Sequence, residues 1–194
     1  MKKFINFRAL SLFAILLSLP FILNSCRNDD DDKKPGVLKV EDVSGNYVGK
    51  ANIGQGTTNT ETNVSFTAQK NVISFTEFPV KEIINAVIND PVKAEQAITK
   101  VGKIKYDLNY LAALSKTKKE VELTFSPKEL TMQVPVEGVN KKVVITFVAL
   151  KQGVFTKGKT HNLNFELEAN KITVEGAAIN PFEDIRYSLP MQKK

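Results

Sequence analysis

Two pairs of acids have the residue types and spacing that hydrolytic chemistry needs: Glu120 with Glu122, and Glu166 with Glu168. Each pair lies two residues apart in a run of alternating apolar and polar side chains. In a strand the two acids would share one face at about 7 Å, a separation that glycoside hydrolysis tolerates. The positions between and beside them, Val121, Leu123 and Phe125 in one run and Leu163, Phe165 and Leu167 in the other, are apolar. The acids therefore point away from a core, and solvated sheet surface is the expectation for both pairs. The sole histidine, His161, lies in a polar stretch that reads as a loop, with no second histidine and no cysteine pair to complete a zinc site. No Gly-x-Ser-x-Gly elbow occurs, and Gly54-Gln55-Gly56 is followed by Thr57 and Thr58 rather than by the Lys-Ser/Thr of a phosphate loop. Asp29, Asp30, Asp31 and Asp32 run together without the alternating ligands and turn glycine of a calcium loop. Neither a cofactor, a metal nor a catalytic constellation is expected.

The one cysteine, Cys26, gains its meaning from what precedes it. Lys2, Lys3 and Arg8 form a basic start, and residues 9–23 are apolar apart from Ser11, Ser18 and Pro20, the pattern of a secretion signal rather than of a membrane span. The run closes on Leu23-Asn24-Ser25-Cys26, which resembles the bacterial lipobox. That resemblance implies removal of residues 1–25, a lipoprotein signal peptide, and a mature chain that begins at a diacylglyceryl-modified Cys26. Residues 26–39 then read as lipidated cysteine and acidic, flexible tether, because Asp29 to Asp32 and Lys33-Lys34-Pro35-Gly36 cannot bury enough apolar area to order themselves. An acidic run directly behind a lipidated cysteine is similar to the signal that carries lipoproteins of the Bacteroidetes to the outer face of the outer membrane. The implied location is the outer membrane at the cell surface, with the membrane as partner through the lipid anchor.

Charge supports no nucleic-acid partner. The sequence has 27 basic and 21 acidic residues, and loss of Lys2, Lys3 and Arg8 leaves 24 against 21, a net charge of +3. No basic patch interleaved with aromatic residues occurs either. With its only cysteine committed to lipid, the domain has no internal disulfide and must be held by its core. Residues 40–194 suffice for one such core and are short for two.

Period-two alternation covers most of that domain. It runs through Val64, Phe66 and Ala68, through Ile104, Tyr106, Leu108 and Tyr110, and through Leu130, Met132 and Val134, besides the two acidic runs and Ile185, Tyr187 and Leu189. The stretch 143–150 is nearly apolar throughout and is expected in a central position, covered on both faces. Lys70-Asn71, Ser126-Pro127-Lys128, Glu137-Gly138-Val139-Asn140 and Ala169-Asn170-Lys171 read as tight turns, hence antiparallel neighbours. Residues 54–63 and 151–162 read as the mobile loops. Near 79–101 the period changes: Val80, Ile83, Ile84, Val87 and Ile88, then Ala94, Ala97, Ile98 and Val101, predict two short helices broken at Asn89-Asp90-Pro91, with Pro79 in the first helical turn, Asp90 as cap, Pro91 opening the second helix and Gly102 ending it. The expected fold is mainly β (α+β), a single antiparallel barrel or two-layer sandwich of about ten strands, with this broken helix pair inserted after the third strand.

Gly45-Asn46-Tyr47 resembles the Gly-x-Trp opening of lipocalin and calycin barrels, with tyrosine in place of tryptophan. The lipobox, the acidic tether, the Gly-x-Tyr strand and Phe78-Pro79-Val80 ahead of the helix pair together resemble an uncharacterised family of Bacteroidetes surface lipoproteins, a domain of unknown function. The resulting expectation is a non-catalytic surface binding or assembly module whose partner is another envelope protein. One alternative is a lipocalin-like carrier holding a small apolar ligand among inward residues such as Tyr106, Tyr110 and Phe165; a carboxylate-dependent hydrolase of glycan or peptide is another. Replacement Cys26→Ser is expected to leave an unprocessed precursor without lipid, read by its mass and by loss of detergent partitioning. Changing Asp29, Asp30, Asp31 and Asp32 to alanine is expected to lower protease accessibility on intact cells.

Overall fold

Alternation becomes strand almost wherever it occurs in residues 37–194, the part of the chain that the computed structural model describes. The expected signal peptide, the lipid site at Cys26 and the acidic run at 29–32 lie outside the described residues. Three strands come first: β1 (Gly45–Gln55), β2 (Thr58–Gln69) and β3 (Val72–Phe75). Two helices follow, α1 (Lys81–Val87) and α2 (Pro91–Val101), and then β4 (Tyr106–Leu114), β5 (Glu120–Ser126), β6 (Leu130–Val136), β7 (Val139–Ala149), β8 (Gly153–Lys157), β9 (His161–Val174), the two-residue β10 (Ala177–Ala178) and β11 (Ile185–Lys193).

Eight of these strands form a closed antiparallel barrel in the order β11-β1-β2-β3-β4-β5-β8-β9. The ring is sealed by β11 against β9, with Tyr187 opposite Leu167 and Leu189 opposite Phe165. A ring of this size is just wide enough for side chains to fill it. The inward positions do so: Tyr47 stacks on Phe66 at 5.1 Å, Phe66 meets Phe75 at 5.1 Å and Phe165 at 5.8 Å, and Phe125 meets Phe165 at 5.0 Å. Gly153 faces inward where a side chain has no room, since a Cβ there would stand 2.7 Å from the Phe125 ring.

One end of the barrel is covered by the 3-10 turn Val40–Val43. The Tyr47 hydroxyl donates to the Val43 carbonyl at 2.6 Å, and Lys193 Nζ donates to the Asp42 carbonyl at 2.7 Å. Burial raises the Asp42 pKa, but bonds from the Lys39 amide and Lys157 Nζ outweigh it and hold that carboxyl below the usual range.

The other end receives both long excursions of the chain, the helix pair between β3 and β4 and the β6–β7 hairpin between β5 and β8. Asp90 caps α2 by accepting from the Val92 and Lys93 amides, Pro91 opens that helix, and Gly102 ends it at φ 67°, where a side chain would be strained. Pro79 lies just ahead of α1 rather than within its first turn. Phe78, in the loop into α1, plugs this end: its ring lies 5.2 Å from Phe75, 5.0 Å from Tyr106, 5.4 Å from Phe147 and 5.3 Å from Tyr187.

Several expectations are corrected by this topology. Residues 54–63 are a tight hairpin rather than a mobile loop. Gly56 at φ 56° turns the chain, and the threonines of β2 are held by pairing to β1. Residues 151–162 contain β8, and His161 is the half-buried first residue of β9, its ring 6.1 Å from Phe155. Ala169-Asn170-Lys171 is a β-bulge, not a turn. Thr146 pairs Lys171 and Phe147 pairs Ala169, so Asn170 is the extra residue that shifts the inward set from Leu163, Phe165, Leu167 and Ala169 to Ile172. The nearly apolar strand β7 has neighbours on both edges, β6 and β9, but only Val143, Ile145 and Phe147 are buried while its other face stays half exposed.

A chain starting at Val37 is expected to unfold cooperatively with a strand-dominated circular dichroism spectrum. In it, Phe78→Ala and Phe147→Ala should each cost about 3–5 kcal/mol in denaturant titrations. Because the two rings touch, the double variant should lose less than the sum of the two.

Candidate binding cleft beside β2

The shortness of β3 creates the most distinctive surface feature of the domain. Its four residues pair with Phe66, Thr67, Ala68 and Gln69 of β2, which leaves residues 58–65 of β2 paired to β1 on one side and to no strand on the other among the described residues. The chain leaving β3 crosses opposite this edge through Thr76-Glu77-Phe78-Pro79 and enters α1, and the end of α2 closes the gap at Gly102 and Lys103. Between the two walls lies a cleft of about 660 Å³. Thr60, Thr62, Ser65 and Thr76 supply hydroxyls to it, and Glu82 supplies a carboxylate.

Glu82 reaches this wall because α1 is anchored by Phe78. Glu82 is the second residue of α1, four residues beyond Phe78, and it is buried along with Ile83 and Ile84. Only 8% of Glu82 is exposed. Its Oε1 accepts from Thr60 Oγ1 at 2.6 Å, while Oε2 is buried without a hydrogen-bond partner among the described residues. The Tyr187 hydroxyl is likewise buried and unpartnered. Tyr187 shares a row with Thr60, since both stand opposite Ile53 of β1. Burial pushes the Tyr187 pKa well above its ordinary value, and the charge of Glu82 adds to the effect. Behind the cleft wall, then, Glu82 Oε2 and the Tyr187 hydroxyl both lie out of reach of solvent.

The other ionic groups at the cleft are already paired. Lys50 Nζ meets Glu61 at 3.3 Å, Lys103 Nζ meets Glu77 at 2.9 Å, and Lys81 Nζ meets Glu95 at 2.6 Å. A second hollow of about 450 Å³ lies between the helix pair and the β6–β7 turn, floored by Val87, Ala97 and Val136.

The residues singled out from sequence are distributed elsewhere. Tyr106, Tyr110 and Phe165 face the barrel interior and are 4%, 4% and 2% exposed. They pack into the aromatic core, and the Tyr106 hydroxyl donates to the Lys128 carbonyl at 2.9 Å. Burial, partly offset by that bond, pushes the Tyr106 pKa up to about 12. The two acidic pairs do not converge, because β8 stands between β5 and β9. Glu166 pairs with Lys151 at 2.9 Å. Glu168, read from sequence as solvated, is 9% exposed, flanked by β7 and covered by Arg186 at 3.0 Å. Among the described residues no group of three or more His, Cys, Asp or Glu is placed to hold a metal ion, and no helix is long and apolar enough to cross a membrane.

A family model described as a domain of unknown function, DUF4840, matches residues 42–174. The chain belongs to that family. The match begins within the 3-10 turn and ends with the last residue of β9, so the cleft lies inside it and β11 outside. No curated protein and no solved structure matches the chain.

Sequence reasoning missed Thr60, Glu82 and Tyr187 as a group, since the first lay in an expected loop and the others on separate elements. Helical spacing gave no signal for Glu82, which lies off the apolar stripe of Val80, Ile83, Ile84 and Val87.

Thr60→Val should strip the buried carboxylate of its hydroxyl partner and lower stability by roughly 1–3 kcal/mol at neutral pH. Tyr187→Phe removes a hydroxyl that has no partner and should be close to neutral there. Stability of the native chain should be level from about neutral pH to about pH 10 and fall above it. In that window the unfolded phenols release protons while the folded ones keep theirs, so the unfolded state is favoured as pH rises. Tyr187→Phe should flatten part of that fall in urea titrations at stepped pH.

Proposed function

We propose that this DUF4840 chain is a non-catalytic binding module of the cell envelope, anchored through a lipid on Cys26 at the outer-membrane surface, with its ligand site in the cleft beside β2. One contrast carries the reading. The barrel interior is occupied by buried rings, whereas the cleft is open and is lined by Glu82, whose Oε2 is buried behind the surface with no hydrogen-bond partner among the described residues. A buried acceptor of that kind lowers stability, and a ligand donor recovers the loss when the Glu82 side chain turns toward the cleft. A carrier function inside the ring would instead require Tyr106, Tyr110 and Phe165 to leave a packed core, at the cost of their mutual contacts. The barrel serves as a rigid frame, and the cleft edge supplies recognition.

Native mass spectrometry of the full chain purified from its own membrane tests this, paired with a turnover screen on glycans and peptides. The expected result is a lipid-bearing species that retains a ligand or protein partner, loses it in Glu82→Gln, and turns over nothing. A bound apolar molecule lost on Phe165→Ala but kept in Glu82→Gln would move the site into the barrel. Turnover abolished by Glu122→Gln or Glu166→Gln, with folding intact, would replace the binding reading with an enzyme.

A further inference from the structure

We propose that the occupant of the cleft is an extended segment of another protein, which adds to the free edge of β2 as a further strand and directs a lysine or arginine toward Glu82. This rests on the cleft being the ligand site. Residues 58–65 have no strand on one side among the described residues, and eight residues at about 3.4 Å each give an edge of roughly 27 Å, enough for a strand of ordinary length. Their outward backbone groups face the cleft, so main-chain hydrogen bonding is the recognition this wall offers, as in other cases of strand addition to a sheet edge.

The edge sequence Thr58-Asn59-Thr60-Glu61-Thr62-Asn63 presents no apolar side chain, so an apolar ligand would gain little along it. Charge then selects the partner. Glu61, Glu77 and Lys81 have ion-pair partners at 3.3, 2.9 and 2.6 Å, while among the described residues Glu82 has only the Thr60 hydroxyl, its Oε2 being buried without a partner. A cation is the group that best compensates a buried carboxylate. The same reasoning disfavours a second copy of this chain, because residues 58–65 include no lysine or arginine and would bring Glu61 toward its own counterpart.

The test uses the full lipidated chain in detergent and four acetylated heptapeptides of alternating threonine and valine. Three carry a central lysine, norleucine or glutamate, and the fourth is the lysine peptide N-methylated at alternate backbone nitrogens. Binding is read by fluorescence anisotropy, and the site by amide hydrogen exchange. The lysine peptide should bind about tenfold more tightly than the norleucine one and slow exchange in residues 58–65, the glutamate and N-methylated peptides should fail, and Glu82→Gln should erase the lysine preference. Equal affinity for lysine and norleucine peptides, or protection elsewhere, overturns the proposal without recourse to any variant. Binding of none of them overturns it too. In that case a co-purified ligand that still depends on Glu82 would preserve the cleft as the site, and one indifferent to Glu82 would remove both readings. Protection of residues 58–65 by self-association, seen as a dimer in sedimentation, would assign the edge to a second copy instead.

Discussion

Phe78 is the contact on which the far end of this domain depends. Its ring meets one aromatic side chain each from β3, β4, β7 and β11. A single side chain therefore ties the barrel wall to the hairpin that lies outside the ring. The Phe78 amide donates to the Ile104 carbonyl at 2.7 Å, which holds together the two points where the chain leaves and rejoins the barrel. Edge-to-face aromatic contacts of this kind add to plain area burial, and several of them on one ring make a plug that is hard to replace by any other residue. The direction in which α1 sets out, and hence the placement of Glu82, follows from where that plug sits.

Closure by β11 imposes a second constraint, of opposite character. Once the last strand pairs with both β1 and β9, the wall has no gap there, and the interior must be filled or hold a guest. Here it is filled by large rings, which supplies the core that a chain without a disulfide needs. The short β3 leaves two stretches of the ring wall without a strand on one side among the described residues, residues 58–65 of β2 and 111–114 of β4, and the cleft lies along the first of them.

How far the sequence disclosed this depends on whether a feature was local. The helix break at Asp90-Pro91, the stop at Gly102 and the tight turns at Lys70-Asn71 and Glu137-Gly138 were legible, because each is a short-range consequence of proline, a capping carboxylate or a positive φ. The alternation marked most strands, and both barrel and sandwich satisfied it, since ring closure is decided by pairing between residues such as Leu189 and Phe165 that lie far apart in sequence. The threonine-rich half of β2 escaped notice for a related reason. Its inward residues Thr60 and Thr62 are polar, so no hydrophobic period announced a strand. The bulge at Asn170 was mistaken for a turn because a shift of parity in an alternating run looks the same, from one chain, as a strand ending and another beginning. Glu82 lies off the apolar stripe of α1 and looked solvated, since its burial depends on packing against distant parts of the chain such as Thr60 of β2.

Among the described residues, two departures from an optimally stable fold coincide at the cleft: a strand edge without a neighbour and a buried carboxylate oxygen without a hydrogen-bond partner. Either would be straightforward to remove by ordinary substitution, a longer β3 for the first and a glutamine or an alanine for the second. Local rules of stability are most often broken where a site is being maintained at their expense. The edge offers backbone groups in a row and the acid offers one fixed charge beside them, so the two together define a direction, a register and a sign for whatever binds. A sugar would use the hydroxyls but not the row, and a metal would need more carboxylates than the wall presents. An extended chain with one cation uses every feature the cleft possesses, and so accounts for both departures at once.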